Sequence, residues 1–112
     1  MAYSELVSLR IRDALGMANI TERRMMGGLV FLLNGNMLVS HRTLKNGAEQ
    51  LMFRPGHENE AEALTIPGTR PMIHGGRRMT GFIFIDEGDC PPPVFDRLLE
   101  LSRRFVEALP PK

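Results

Sequence analysis

Two pairs of arginines are the residues of this sequence best suited to binding an anion. The pairs are Arg23-Arg24 and Arg77-Arg78, and each lies close to a pair of glycines. A guanidinium group offers a fork of N–H donors, while glycine lets backbone N–H groups approach a ligand. We therefore predict that the two pairs lie near each other and form a basic patch. Its ligand would be a small anion or a nucleotide, or the phosphates of a nucleic acid. The alternative is that these arginines pair with acidic side chains or bond to loop carbonyls.

The other reactive residue types do not form a recognisable catalytic or metal-binding pattern. His41, His57 and His74 fall in predicted loops or at the ends of elements, without a pair at metal-ligand spacing or a serine or cysteine motif. The single cysteine, Cys90, follows Asp89, and a neighbouring acid raises the pKa of a thiol. We therefore expect no catalytic residue, no metal and no cofactor, and we predict that the protein is not an enzyme.

Length and composition indicate one small globular domain covering residues 1–112. The hydrophobic share of 43% is sufficient for a core, and the net charge of +1 argues against a dedicated nucleic-acid-binding protein. Nucleic acid would be bound through a local basic patch, if at all. A single cysteine excludes an internal disulfide, and the longest apolar run, Leu29 to Leu33, is too short to cross a membrane. We expect a cytoplasmic protein that does not enter a membrane.

Hydrophobic periodicity predicts an α+β fold with two layers, an antiparallel sheet flanked by N- and C-terminal helices. The first helix follows Ser4, an N-cap residue, and ends near Gly16. Its predicted apolar stripe is Val7, Ile11, Ala14, Leu15 and Ala18. The polar segment 19–25 is predicted to be a connection. The later elements are strands at 29–33, 37–39, 51–53 and 82–85, an Asn34-Gly35 hairpin turn, a helix over 57–64 and a closing helix from Val94.

The two most apolar strands suggest self-association. A strand with one face on the core and one in water alternates apolar and polar residues, but Leu29 to Leu33 and Phe82 to Ile85 are apolar throughout. Two main helices cover only one face of a small sheet, so the second face would expose apolar side chains to water. Such a face marks an interaction surface, and two-fold pairing is the commonest way to cover it. We predict a homodimer. The alternative is that the short helix over 57–64 or the long loops cover this face.

Short motifs along the whole chain resemble those of the TfoX/Sxy N-terminal domain family. They are the Met-Ala-Tyr opening, Thr21-Glu22-Arg23-Arg24-Met25-Met26-Gly27-Gly28, Asn34-Gly35-Asn36-Met37, Leu51-Met52-Phe53-Arg54, Arg70-Pro71-Met72, Arg78-Met79-Thr80-Gly81-Phe82 and Leu109-Pro110-Pro111-Lys112. Their order matches that of the family. Met26 stands where the family usually has phenylalanine, a change that methionine accommodates because its side chain is adaptable.

The resemblance implies a two-layer α+β domain with an antiparallel sheet and a regulatory role. Named members of the family regulate natural competence, acting on transcription together with a cyclic-AMP-responsive activator. They also carry a C-terminal helical domain, which has no counterpart in this sequence, so a stand-alone N-terminal domain is expected. The resemblance assigns no catalytic residues. It therefore favours a regulatory or protein-interaction domain with a protein partner in transcription regulation.

Overall fold

Three α-helices and six β-strands form the part of the chain, residues 3–112, that the computed structural model describes. Met1 and Ala2 of the Met-Ala-Tyr opening lie outside the described residues. In chain order the elements are α1 (Glu5–Leu15), β1 (Ile20–Met25), β2 (Gly28–Leu33), β3 (Asn36–Thr43), β4 (Glu49–Phe53), α2 (Gly56–Leu64), β5 (Arg70–His74), β6 (Arg77–Asp86) and α3 (Pro92–Val106).

The strands form one sheet in the order β1-β2-β3-β4-β6-β5, and every neighbouring pair is antiparallel. The predicted α+β class, with an antiparallel sheet flanked by helices, is confirmed. The predicted hairpin turn is also confirmed, because Asn34 and Gly35 have φ values of 53° and 83° and connect β2 to β3. Positive φ at both central residues is what a type I′ turn requires.

The sequence did not predict the two strands at the ends of the sheet. The sequence of β1 predicts a connection because four of its six residues are polar, and those four are exposed in the structure. β5 contains Pro71, which lowers the expectation of a strand but is tolerated at a sheet edge, where one side of the backbone has no strand to bond. Both strands lie at edges of the sheet, where the apolar pattern of a buried strand is not required.

The helix-covered face of the sheet holds the main core. Phe31 of β2 and Phe53 of β4 are fully buried there, and the Phe53 ring meets Phe95 of α3 edge-on with 5.5 Å between centroids. Val7 and Ile11 of α1 belong to the same cluster. In contrast, Ala14 and Ala18 of the predicted stripe are exposed, so α1 contacts the core through a narrower face than its sequence suggested.

The second face of the sheet is closed by the sheet itself. Val30 and Leu32 lie outside the main core cluster, yet they are only 0% and 5% exposed. On this face one cleft is lined by Met25, at the end of β1, and by Met72 of β5, so the two edges of the sheet curl toward each other. The free space of about 20 Å³ is about the size of one water molecule. Within the described residues, the exposed apolar face expected from the non-alternating strands is therefore absent. A homodimer through that face is not supported.

Close contact between β2 and β3 generates a prediction about Gly28. A Cβ atom at this position would lie 2.1 Å from the His41 carbonyl oxygen, and neither strand can move without breaking the sheet. Replacing Gly28 with alanine should lower the free energy of unfolding by about 3 kcal/mol, because overpacking strains the core. Urea denaturation would measure the change. Gly88→Ala is the matched control, since a Cβ at Gly88 meets open space, and equal effects of the two variants would contradict the prediction.

Candidate functional site

A serine, a histidine and a glutamate meet between α1, β3 and β4. Ser8 Oγ lies 2.8 Å from His41 Nε2, and His41 Nδ1 lies 3.3 Å from Glu49 Oε1. This order of groups is that of a catalytic triad, in which a histidine activates a hydroxyl while an acid orients the ring. No sequence pattern indicates this cluster, because its members come from three separate elements and no local motif joins them.

Burial assigns this cluster a structural role. Ser8 is 0% exposed and His41 is 1% exposed, so a substrate has no route to the hydroxyl. Ser8 Oγ also lies 3.2 Å from the carbonyl oxygen of Ser4, the residue that precedes α1. The carboxylate of Glu49 accepts hydrogen bonds from the Thr43 hydroxyl at 2.9 Å and the Ser4 backbone N–H at 3.2 Å. The cluster therefore fastens the first turns of α1 to β3 and β4.

Burial also fixes the protonation of the ring. It lowers the pKa of His41 below its ordinary value, and the hydrogen bond and charge of Glu49 offset part of that effect. His41 is therefore neutral at pH 7. With its proton on Nδ1, the ring donates to Glu49, which as a carboxylate can only accept, and Nε2 accepts from the Ser8 hydroxyl.

The predicted anion-binding arginines occupy two different strands. Arg23 and Arg24 lie on β1, and Arg77 and Arg78 lie on β6, with three strands between them in the sheet. Successive residues of a strand point to opposite faces, so a pair on a regular strand does not present both guanidinium groups to one ligand. The alternative of pairing with an acid holds for Arg78, which forms an ion pair with Glu60 at 3.5 Å.

Convergence of the two pairs stays a prediction. All four arginines are exposed, and the guanidinium of Arg24 lies 5.9 Å from the centre of the Tyr3 ring. The curl of the sheet brings their neighbours Met25 and His74 to the walls of one cleft, and His74 is the register partner of Arg77. The cleft itself has no room for an anion, so any common ligand would have to bind at its mouth.

Two strongly exposed apolar side chains lie elsewhere, beside the open edge of β1. Met17, just after α1, is 92% exposed, and Leu9 on the outer side of α1 is 56% exposed. Together with Arg12 of α1 and with Ile20 and Glu22 of β1, they line one groove. We call this the α1–β1 edge surface. β1 ends the sheet here, so one side of its backbone faces away from any strand of the described chain.

A sequence feature pointed to this surface and was missed. Leu9 falls outside the helical stripe formed by Val7, Ile11 and Leu15, which is the pattern of a helix with an apolar side chain on its solvent side. An ion pair fixes the groove, because Glu22 accepts hydrogen bonds from the Arg12 guanidinium at 2.7 and 2.8 Å. That pair lowers the pKa of Glu22, so the carboxylate is ionised at neutral pH.

Comparisons with protein-family models, with curated proteins and with solved structures find no match for this chain. Within residues 3–112, no helix is long and apolar enough to cross a membrane. Across the same residues, histidine, cysteine, aspartate and glutamate side chains do not gather in groups of three that would hold a metal ion.

The lowered pKa of His41 predicts how stability depends on pH. The unfolded chain takes up a proton at this histidine below about pH 6.5, whereas the folded chain resists it until a lower pH. The free energy of unfolding should therefore fall as pH is lowered from 7.5 to 5.5, by at most about 1.4 kcal/mol per pH unit from this group. Urea titrations of the wild type and of His41→Gln would isolate the effect. The variant should show a shallower slope, and equal slopes would contradict the assignment.

The buried thiol of Cys90 is predicted to be unreactive in the folded protein. Burial raises its pKa to about 11, against the opposing effect of the nearby Arg10 charge. The expected direction of the pKa shift is therefore confirmed, but its causes are burial first and then the charges of Glu87 and Asp96, and not the charge of Asp89. At pH 8 only about one thiol in a thousand is the reactive thiolate. Alkylation by iodoacetamide, followed by mass spectrometry, should be at least about a hundredfold slower in the native protein than in urea. Equal rates would show that the thiol is accessible.

Proposed function

We propose that this chain is a regulatory protein-interaction domain that binds its partner through the α1–β1 edge surface. The observation that carries the proposal is the placement of exposed apolar side chains beside an open sheet edge. Among the described residues, the large apolar side chains with the greatest exposure are Leu6, Leu9, Met17, Ile73 and Met79. Two of these, Leu9 and Met17, line the groove of the α1–β1 edge surface.

Physical arguments support binding of a protein at this surface. Leaving apolar side chains in water is unfavourable, and contiguous exposed patches mark interaction sites. Methionine suits such a site because its flexible thioether side chain adapts to the partner. The charged residues of β1, Glu22, Arg23 and Arg24, discourage indiscriminate pairing at the open edge. A partner would therefore have to complement these charges as well as cover Leu9 and Met17.

The resemblance to the TfoX/Sxy N-terminal domain family supports a regulatory role for that interaction. On this proposal the domain acts in the cytoplasm as part of transcription regulation, by binding a protein and not by catalysis. The buried state of Ser8 supports the non-catalytic part of the proposal, because the one triad-like cluster described above is closed to substrates.

Anion binding is the second candidate function, favoured by the exposure of Arg23 and Arg77 and by the presence of Met25 and His74 in the wall of one cleft. The two functions differ in their response to salt. Binding to phosphates weakens steeply as the salt concentration rises, whereas a contact made mainly by apolar side chains changes little.

Substitutions at the α1–β1 edge surface should remove partner binding without unfolding the domain. Leu9→Glu and Met17→Glu each place a charge on the apolar patch, and both side chains are largely exposed, so thermal stability should change little. Affinity capture from the cells that express the protein, quantified by mass spectrometry, should lose its partner at least about tenfold.

Ile73→Glu is the matched control for these variants. Ile73 is also an exposed apolar residue, at 52%, but it lies on β5 at the opposite edge of the sheet. It should retain the partner at the wild-type level. If Leu9→Glu and Met17→Glu also retained it, the α1–β1 edge surface would not be the binding site.

A further inference from the structure

We infer that the α1–β1 edge surface binds a second copy of itself, with β1 pairing antiparallel to β1 of the partner around a two-fold axis at Arg23. The two six-stranded sheets would then continue as one. This inference rests on the proposed function, since it names the partner of the same surface. Three independent features of β1 and α1 support the inference. They are the direction in which the free backbone N–H and C=O groups of β1 point, the charge pattern of β1 and the position of the apolar groove.

The first feature is the direction of the free backbone groups. The Asn34 N–H donates to the Asn19 carbonyl at 3.0 Å, at the end of the β1–β2 pair. In an antiparallel pair every second residue bonds to its neighbour, so Thr21 and Arg23 also direct their N–H and C=O groups toward β2. Glu22 and Arg24 direct theirs outward from the sheet. These outward groups are the ones that a second β1 would bond.

The second feature is the charge pattern on one face of β1. Glu22 lies opposite Phe31 and Arg24 lies opposite Leu29, so both side chains are on the helix-covered face. Pairing around a two-fold axis at Arg23 sets Glu22 opposite the partner's Arg24, and the reverse pair forms by symmetry. Two opposite-charge contacts therefore arise from one strand, each between residues that also exchange backbone hydrogen bonds.

Other registers lack this complementarity. Two residues that lie opposite each other in an antiparallel pair have their side chains on the same face of the sheet. A two-fold axis between two successive residues of β1 would set side chains from different faces opposite each other, so the axis must pass through a residue. An axis at Glu22 would bring Glu22 against the partner's Glu22, and an axis at Arg24 would bring two copies of Arg24 together. The Arg23 register has one unfavourable contact, between Arg23 and the partner's Arg23 on the opposite face. That cost is itself testable, because removing the charge should strengthen the pairing.

The third feature is the groove formed by Leu9, Met17 and Ile20. It lies beside the open edge of β1, on the same face as Glu22. The two-fold axis places both copies of α1 on the same side of the joined sheet, next to each other. Leu9 and Met17 would then be covered by the partner's helix. The pairing accounts for apolar side chains at an edge whose strand is itself charged.

A second copy fits this surface because the surface complements itself. One strand carries both signs of charge at the two-residue spacing that antiparallel pairing requires, and closed two-fold symmetry satisfies both contacts with a single interface. The homodimer expected from the sequence is thus inferred at a different place, at the sheet edge and not on the sheet face.

Sedimentation velocity across a dilution series tests the pairing with three variants. The wild type should approach twice the chain mass of 12.6 kDa as its concentration rises. Arg24→Glu sets like charges opposite each other twice and leaves the Arg12–Glu22 pair in place, so its dissociation constant should rise at least about tenfold. The double variant Glu22→Arg/Arg24→Glu, made together with Arg12→Glu so that positions 12 and 22 still form an ion pair, reverses both strand charges and should return most of the affinity. Arg23→Thr removes the like-charge contact and should tighten the dimer.

Circular dichroism would confirm that each variant is folded, and Arg23→Thr supplies an independent test if the double variant is unstable. A wild type that stays at 12.6 kDa at every concentration overturns the inference, as does a dimer that Arg24→Glu and Arg23→Thr leave unchanged. A monomer that still captures another protein through Leu9 and Met17 would overturn self-pairing while leaving the proposed function intact. A wild type that neither dimerises nor captures another protein would overturn both the self-pairing and the proposed function.

Discussion

The buried imidazole of His41 is the interaction on which the arrangement of this molecule depends. Its two nitrogens contact Ser8 of α1 and Glu49 of β4, so one ring joins a helix to two strands. A buried polar group is costly unless it is hydrogen-bonded, and here both ring nitrogens have partners. Tyr3 and Phe31 pack against the ring, with centroids 5.3 and 6.3 Å away. Moving α1 off β3 would remove the Ser8 partner of His41 Nε2.

The position of α1 in turn determines which surface the molecule presents. With Val7 and Ile11 held in the core, the opposite side of the helix carries Leu9 into water beside β1. The Arg12–Glu22 pair joins the helix to that strand and completes the groove. A polar contact in the interior therefore controls the geometry of an apolar patch at the edge of the sheet. The candidate interaction surface is a consequence of how the helix is fastened.

The curl of the sheet explains why this edge, and not the sheet face, is available. Curling buries Val30 and Leu32 without a second layer of helices and leaves a cleft too small for a ligand. At one edge, Pro71 removes a backbone donor from β5, which makes that strand a poor template for pairing. At the other edge, β1 keeps its backbone N–H donors, and its charged side chains disfavour pairing with most strands. A strand with complementary charges can still pair with β1, whereas the missing donor of proline weakens pairing with every strand.

The sequence by itself determined the features that depend on neighbouring residues. The Asn34-Gly35 turn, the helix end at Gly16 and the apolar strand at 29–33 were all predictable, because backbone preference and hydrophobic runs act over a few residues. Tertiary structure alone decided the rest. β1 is a strand because β2 offers it hydrogen bonds, although its own residues are mostly polar and exposed. Ser8, His41 and Glu49 form a cluster because three elements converge, and the second face is buried because the sheet curls. These outcomes depend on contacts between residues far apart in the chain, which no local pattern encodes.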